Sequence, residues 1–195
     1  MNEVNRYEGR PTVEQLENEI KRREMARTSR AKLWGGLRTL IIFAAAAVLL
    51  TTFLLPVIRV QQSSMAPTLM EGELLVILTT GEVERGDIIA LHHHDKLLLK
   101  RVVAIDGDWI DIDEDGIVII NDKQLPEPYL SELSRGSVTI ALPLQVPPNQ
   151  FFVMGDSRET SLDSRQKDIG TIHKERVIGK AIVRVWPFMR IGIVR

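Results

Sequence analysis

A long apolar segment near the N-terminus is the clearest feature of the hydrophobic pattern. Residues 39–58 contain no charged side chain, and apolar residues occur on every face of the corresponding helix. Each helical residue rises about 1.5 Å, so a helix of this length spans the roughly 30 Å hydrocarbon layer of a membrane. We therefore predict a membrane-spanning helix. A buried core helix would normally keep a polar stripe, and a cleaved signal peptide would start earlier and end in a small-x-small site.

The charges that flank this segment predict its orientation. Seven Lys and Arg residues lie between positions 21 and 38, whereas none lies between positions 60 and 84. Basic residues accumulate on the cytoplasmic side of a membrane helix. We expect a single-pass protein of the cell membrane with a cytoplasmic N-terminus. Its predicted parts are a basic cytoplasmic segment with a juxtamembrane helix (residues 1–38, the helix over 12–32), a transmembrane anchor (39–58) and an extracytoplasmic domain (59–195).

The rest of the chain has the hydrophobic pattern of short β-strands. Its apolar runs are rich in branched residues and are separated by Gly, Pro, Asp or Asn, and no long amphipathic helix interrupts them. We expect a mainly β protein, with one N-terminal transmembrane helix followed by an all-β extracytoplasmic domain. Residues 125–136 and 157–174 are predicted loops. The predicted strands are residues 74–78, 88–91, 97–105, 109–112, 117–120, 138–142, 151–154 and 177–185.

Composition and charge exclude several classes of function. The net charge of −1 does not suit a nucleic-acid-binding protein, which usually carries a basic excess. The absence of cysteine excludes thiol catalysis, disulfide bonds and cysteine-type zinc sites. The length of 195 residues suits one anchored domain.

Ser64 follows the apolar segment closely, within the run QQSSMAPTL of residues 61–69. A nucleophile held beside a bilayer acts on substrates in or at the membrane. Such a serine needs a base, and the first candidates are His92, His93, His94 and His173. The three adjacent histidines indicate the end of a strand and a turn, and adjacent side chains on a strand diverge. They are therefore poor partners for a triad or a metal.

Lys100 is the better candidate base. In the predicted strand 97–105, alternation places Lys100 on one face with Leu98 and Val102, and Arg101 on the other face. Burial among apolar side chains disfavours an ammonium and lowers the pKa of a lysine, and the neutral amine can act as a general base. In the alternative interpretation, the lysine buries only its stem and its ammonium reaches the edge of the sheet. The pattern alone favours neither.

The segment 155–165, GDSRETSLDSR, is the third candidate for a functional role. It is too polar for a core, and its alternating hydroxyls, carboxylates and arginines are able to form a fixed hydrogen-bond network. An ordinary exposed loop is the alternative interpretation.

These segments, in this order behind an anchor, resemble the type I signal peptidases of bacteria, the serine-lysine enzymes that remove signal peptides from exported proteins. The resemblance covers nearly all of residues 39–195, and the single anchor and compact outer domain are similar to those of Gram-positive members. The motifs that carry it are Ser64-Met65-Ala66-Pro67-Thr68-Leu69, Arg85-Gly86-Asp87-Ile88-Ile89, Lys100-Arg101-Val102-Val103 with Gly107-Asp108, Gly155-Asp156-Ser157-Arg158 with Ser161-Leu162-Asp163-Ser164-Arg165, and Gly179-Lys180-Ala181.

The resemblance implies a membrane-anchored serine endopeptidase that cleaves preproteins after small residues at −1 and −3, typically Ala-x-Ala, without a metal or other cofactor. Its expected partners are the signal peptides of exported preproteins and the lipid bilayer, and it would contact the secretion machinery transiently. No nucleic-acid partner is expected, and the protein is expected to be a monomer. The resemblance implies that Ser64 is the nucleophile, that its amide contributes to the oxyanion hole, and that Lys100 is the general base. Ser161 would orient the lysine amine, and an ion pair of Asp163 and Arg165 would brace the loop. Met65 and Pro67 would lie near the substrate and the membrane, and Gly155, Asp156 and Arg158 would belong to a structural loop.

Two positions depart from the family pattern. The family often has a serine or glycine two residues before the nucleophile, where it contributes to the oxyanion hole, and this chain has Gln62, whose amide can also donate a hydrogen bond. Ser157 replaces the usual asparagine after Gly-Asp. Two alternative functions would leave different marks in the sequence. A soluble repressor-cleaving Ser-Lys autoprotease would have no anchor, and a catalytically impaired paralogue that only binds signal peptides or partners would lack Ser64 or Lys100.

Overall fold

Helix α1, Val13–Leu54, is the first element of the described chain. The computed structural model describes residues 13–94 and 96–194, and it divides into two units, one that ends at Leu49 and one that begins at Leu50. The segment Trp34–Leu54 is long and apolar enough to cross a membrane by length and composition, with a mean hydropathy of 2.1. The predicted juxtamembrane helix and the predicted anchor therefore belong to one helix, although Thr12, where the first was predicted to begin, lies outside the described residues.

Helix α1 ends at Leu54, whereas the predicted apolar segment extends to residue 58. Pro56 has no amide hydrogen and disfavours helical geometry at Leu55, so the helix stops before them. Residues 57–59 form a strand instead, and the Ile77 amide donates to the Pro56 carbonyl oxygen at 2.9 Å. The chain thus passes from the helix directly into the sheet.

The remainder of the described chain is built from strands joined by turns and loops. Its 3₁₀ turns are Ser63–Met65, Lys174–Arg176 and Phe188–Arg190. The strands are β1 (Val57–Arg59), β2 (Leu74–Leu78), β3 (Ile88–His93), β4 (Lys96–Ile105), β5 (Trp109–Ile112), β6 (Val118–Ile120), β7 (Lys123–Gln124), β8 (Leu144–Gln145), β9 (Gln150–Met154), β10 (Ile172–His173), β11 (Val177–Trp186) and β12 (Gly192–Ile193).

These strands form two antiparallel sheets. The larger sheet has the order β1-β2-β11-β3-β4-β9-β10, and β12 pairs with β11. The smaller sheet has the order β7-β6-β5-β8. Strand β4 pairs with β3 along Lys96–Arg101 and with β9 from Arg101 onward, where Arg101 is opposite Met154.

Apolar clusters cover both faces of the sheet around β4 and β9. Val103 and Phe152 belong to a cluster that includes the apolar residues of β5 and β6 in the smaller sheet. Val102 and Val153 belong to a second cluster with apolar residues of β3 and β10. A third cluster contains Met65 and residues of β2 and β3. Residues 100–104 of β4 are therefore held away from water.

The mainly β architecture with one apolar N-terminal helix confirms the fold class expected from the sequence. The predicted strand 138–142 is wrong. The amides of Thr139 and Ile140 both donate to the Arg165 carbonyl oxygen, at 2.9 and 3.3 Å, so they cannot take part in a ladder. Pro143, which has no amide hydrogen, follows this segment. The short strands β1, β7, β8, β10 and β12 are absent from the sequence-based prediction.

Phe152→Ala should lower the free energy of unfolding by about 3–5 kcal/mol, because truncation of this fully buried ring leaves a cavity in the core. Tryptophan fluorescence during chemical unfolding of the full chain in detergent would measure the change. Leu162→Ala is the matched control, since Leu162 is 68% exposed and its truncation should change the free energy by less than about 0.5 kcal/mol. Equal losses in the two variants would contradict this description of the core.

Candidate active site

Ser64 lies in the 3₁₀ turn Ser63–Met65, shortly after strand β1. The chain enters this turn in extended geometry at Gln62, with φ −133° and ψ 154°. Met65 is 1% exposed and lies in a core cluster with Leu69, whose amide donates to the Met65 carbonyl oxygen at 2.8 Å. The buried Met65 fixes the turn, and its neighbour Ser64 is left half-buried at the domain surface.

The structure brings Lys100 and Ser161 to Ser64. Lys100 on β4 is 1% exposed, and its Nζ donates hydrogen bonds to Ser64 Oγ at 2.8 Å and to Ser161 Oγ at 2.9 Å. The sequence left open whether this amine is buried or reaches the edge of the sheet. The amine is buried, and both of its hydrogen-bond partners are hydroxyl groups of the predicted site.

Burial lowers the pKa of Lys100 from its usual value of 10.5 to about 8, because the ammonium loses its hydration. Charged neighbours act in both directions: Asp163 and Asp156 raise this pKa, and Arg165 lowers it. An amine with such a pKa is partly neutral near physiological pH and can accept a proton from a hydroxyl group at hydrogen-bond distance.

Residues 155–161 form the turn that carries Ser161, and we call it the catalytic turn. The Ser157 amide donates to the Ser64 carbonyl oxygen at 3.0 Å, and the Ser161 amide donates to the Ser157 carbonyl oxygen at 3.0 Å. A Cβ atom on Gly155 would lie 2.2 Å from Ser161 Oγ and 2.5 Å from the Ser64 carbonyl oxygen. The catalytic turn therefore holds both serines, and only glycine fits between them.

Asp163 and Arg165 brace the catalytic turn. Their side chains are fully buried, and Arg165 Nε lies 2.8 Å from Asp163 Oδ1. The second carboxylate oxygen of Asp163 accepts the Gly155 amide at 3.0 Å. The Arg165 guanidinium donates to the carbonyl oxygens of Arg158 and Arg135, each at 2.7 Å. The structure thus pairs Asp163 with Arg165 beside Gly155.

Asp156 and Arg158 contact side chains that the sequence analysis did not propose for the site. Arg101 donates to both carboxylate oxygens of Asp156, at 2.9 and 2.7 Å. Arg158 forms two hydrogen bonds to the Glu127 carboxylate, which also accepts the Tyr129 hydroxyl at 2.6 Å. Glu127 and Tyr129 belong to the loop between β7 and β8, and no local pattern in the sequence connects that loop with the catalytic turn.

None of the hydrogen bonds of the described residues joins a histidine to Ser64. Strand β3 ends at His93, as the triplet predicted, and His93 is opposite Lys96. Lys96 is about 13 Å along β4 from Lys100 at the usual rise of a strand. His173 is exposed on β10, the terminal strand of the larger sheet. Within residues 13–94 and 96–194, no group of three or more His, Asp or Glu side chains is arranged to hold a metal.

A narrow cavity of about 20 Å³ opens beside Ser64. It is lined by the segment 59–62, by Ser64 and Met65, and by Leu97 and Leu99 of β4. Gln62 thus lies beside the candidate nucleophile and is exposed, whereas Pro67 is exposed and does not line the cavity. The cavity offers room for a small side chain only.

The chain is similar to known proteins over most of its length. A family model described as "Signal peptidase, peptidase S26" matches residues 33–186. Signal peptidase I of Bacillus licheniformis is 34% identical over 181 residues, which cover 86% of this chain and 96% of that protein. Signal peptidase I T of Bacillus subtilis (strain 168) is 33% identical over 168 residues, which cover 80% of this chain and 85% of that protein. The crystal structure of a signal peptidase I from Enterococcus faecalis V583 is 27% identical, with a TM-score of 0.44, and covers 51% of this chain and 97% of that one.

The titration of Lys100 can be measured directly. In protein labelled with ¹³C at the lysine ε-carbon, the Lys100 signal should titrate with a midpoint near pH 8. The signal is identified by its absence in Lys100→Met. Asp163→Asn should move the midpoint to lower pH, because it removes a carboxylate that raises this pKa and leaves Arg165, which lowers it. A midpoint near 10.5 would show that the amine is not buried.

Proposed function

We propose how this chain, which belongs to the signal peptidase family of serine endopeptidases (peptidase S26), performs the signal peptidase I reaction. Ser64 is the nucleophile and Lys100 is the general base. The observation that carries this proposal is the 2.8 Å contact between Lys100 Nζ and Ser64 Oγ, made by an amine that burial shifts toward its neutral form.

The reaction is an acyl transfer to Ser64 and then to water. Neutral Lys100 accepts the Ser64 proton while Ser64 Oγ attacks the scissile carbonyl carbon. The Ser64 amide and the Gln62 side chain stabilise the oxyanion. Lys100 then gives its proton to the leaving amine and afterwards removes a proton from the water that hydrolyses the acyl-enzyme. These proton transfers need a base whose pKa lies close to neutral pH, and the lowered pKa of Lys100 meets this requirement.

Ser161, Asp163 and Arg165 orient the base. Ser161 Oγ accepts a hydrogen bond from Lys100 Nζ at 2.9 Å, so it fixes the amine toward Ser64. The buried Asp163–Arg165 pair supports the catalytic turn from which Ser161 projects. The second hydroxyl partner keeps the amine in one position in both protonation states.

The substrate binds in extended form and presents small residues at −1 and −3. Residues 96–100 of β4 pair with β3 on one side, and no strand of the described chain pairs with them on the other. An extended peptide can add to such an edge by backbone hydrogen bonds. The cavity of about 20 Å³ between Leu97, Leu99 and the segment 59–62 supports selection of alanine-sized side chains, as in Ala-x-Ala sites.

The membrane holds the enzyme beside its substrate. The segment Trp34–Leu54 is the proposed anchor, with the basic N-terminal part in the cytoplasm and the β domain outside. An exposed apolar group near the C-terminus supports contact of the domain with the lipid surface: the Trp186 and Phe188 rings lie 4.7 Å apart, and Met189 is 99% exposed.

Ser64→Ala and Lys100→Ala should each reduce cleavage of a preprotein with an Ala-x-Ala site by at least about 10³-fold, because each removes one half of the proton transfer. The assay uses purified full chain in detergent, with gel separation of precursor and mature product. Ser63→Ala is the matched control and should keep most of the activity. Cleavage at the Ala-x-Ala site by Ser64→Ala would refute this assignment.

Gly155→Ala should reduce kcat strongly, because its Cβ would displace either Ser161 Oγ or the Ser64 carbonyl oxygen. A loss of about 10²-fold is expected for a displacement of this kind in a catalytic site. Gly192→Ala is the control, since a Cβ there meets no atom within 4 Å. Wild-type kcat in Gly155→Ala would show that the contact between the catalytic turn and Ser64 is unimportant.

A further inference from the structure

A ring of polar side chains, buried except for the half-buried Tyr129, lies against the catalytic turn and uses none of the reacting groups. Arg158 pairs with Glu127, Glu127 accepts the Tyr129 hydroxyl, the Arg101 guanidinium lies 3.9 Å from the centre of the Tyr129 ring, and Arg101 pairs with Asp156. The backbone from Asp156 to Arg158 closes the ring. Two carboxylates balance two guanidinium groups, and their side chains are at most 3% exposed.

Buried ion pairs of this kind contribute little net stability, because the cost of removing two charges from water offsets their attraction. Removal of one member of such a pair destabilises the folded protein strongly, because its partner stays buried and unpaired. A ring of two such pairs therefore constrains position strongly while it adds little to the free energy of folding.

Tyr129 is the link between the two ion pairs. Its hydroxyl donates to the same Glu127 carboxylate that binds Arg158, and its ring lies beside the Arg101 guanidinium. Burial, followed by the neighbouring Glu127 carboxylate, raises the pKa of Tyr129 well above its usual value of 10.0, so the hydroxyl remains a donor. Tyr129 thus connects the turn at Arg158 with strand β4 at Arg101.

The ring holds both sides of the proposed dyad. Asp156 and Arg158 are the immediate neighbours of Ser157, whose amide donates to the Ser64 carbonyl oxygen. Arg101 is the immediate neighbour of Lys100 on β4. A shift of the ring therefore changes the position of Ser64 relative to the lysine amine.

We propose that Glu127 and Tyr129 are positioning residues of the Ser64–Lys100 dyad, which lock the catalytic turn against strand β4. This inference rests on the proposed function of Ser64 and Lys100. Neither residue touches the reacting atoms. Both act through Asp156, Arg158 and Arg101, so their loss affects the chemical step more than the binding of substrate.

Tyr129→Phe tests the inference with the smallest change, because it keeps the ring beside Arg101 and removes only the donor to Glu127. Full-length enzyme in detergent should lose about tenfold in kcat, with KM changed less than about twofold. Tyr7→Phe, at the other tyrosine of the chain, should leave both constants unchanged. Wild-type kcat in Tyr129→Phe, or a KM that rises as much as kcat falls, would overturn the proposal.

A double-mutant cycle separates positioning from a general loss of stability. The catalytic turn positions Ser161, so Tyr129→Phe should lower kcat by a smaller factor in a Ser161→Ala background than in the wild-type background. An equal loss of kcat in the two backgrounds would show that Tyr129 does not act through the turn. Thermal unfolding of each variant, followed by circular dichroism, must show a folded protein at the assay temperature. Unfolding of Tyr129→Phe there would assign it a structural role only.

Glu127→Gln adds a readout that is independent of the turnover number. This variant leaves the Arg158 charge unbalanced near the dyad, which disfavours a second positive charge on Lys100. The rise of kcat/KM with pH should therefore move to lower pH, whereas Glu132→Gln, at an exposed carboxylate of the same loop, should not move it. An unchanged profile in Glu127→Gln would count against the inference. Ser64→Ala run in parallel keeps the two questions apart, since activity in that variant would refute the dyad and not the ring.

Discussion

The arrangement of the site depends on keeping the Lys100 amine out of water. Its pKa falls from 10.5 to about 8, which corresponds to about 3 kcal/mol between the two protonation states. The folded domain binds this proton more weakly than the unfolded chain does, so the contribution of this group to stability increases as pH rises from about 8 to 10.5. Below pH 8 the cost is fully present, and apolar packing on both faces of the sheet around β4 offsets it.

The catalytic turn orients this buried amine through the hydrogen bond between Lys100 and Ser161. Its glycine, Gly155, allows the backbone to approach Ser64 and Ser161 more closely than any side chain would permit. The ion pair of Asp163 and Arg165, which follows the turn in the chain, braces it, and the ring that contains Glu127 lies against it. The charged groups thus fix the position of the turn, whereas the apolar clusters supply most of the folding free energy.

The sequence predicted those features that depend on local periodicity. Alternation placed Lys100 on the face of Leu98 and Val102, and most of the long strands lie where branched residues indicated them. It failed where neighbours in space decide the structure. Val57 and Ile58 are as apolar as the helix before them, and their pairing with β2 after Pro56 makes them part of a strand. Glu127 and Tyr129 gain their partners from a segment about thirty residues away, and no periodicity in one sequence encodes such a contact.

In the proposed function, one local feature of the fold connects the chemistry with the binding of an extended substrate. Strand β9 pairs with β4 only as far as Met154, because the chain then leaves the sheet and the Gly155 amide donates to Asp163. That departure creates the catalytic turn, and it also leaves residues 96–100 of β4 unpaired on the same side among the described strands. The free edge therefore ends at Lys100, where the turn begins. In the proposed function, a peptide that adds to this edge would run toward the Ser64 hydroxyl, so the end of β9 would determine both where the substrate binds and where it is cut.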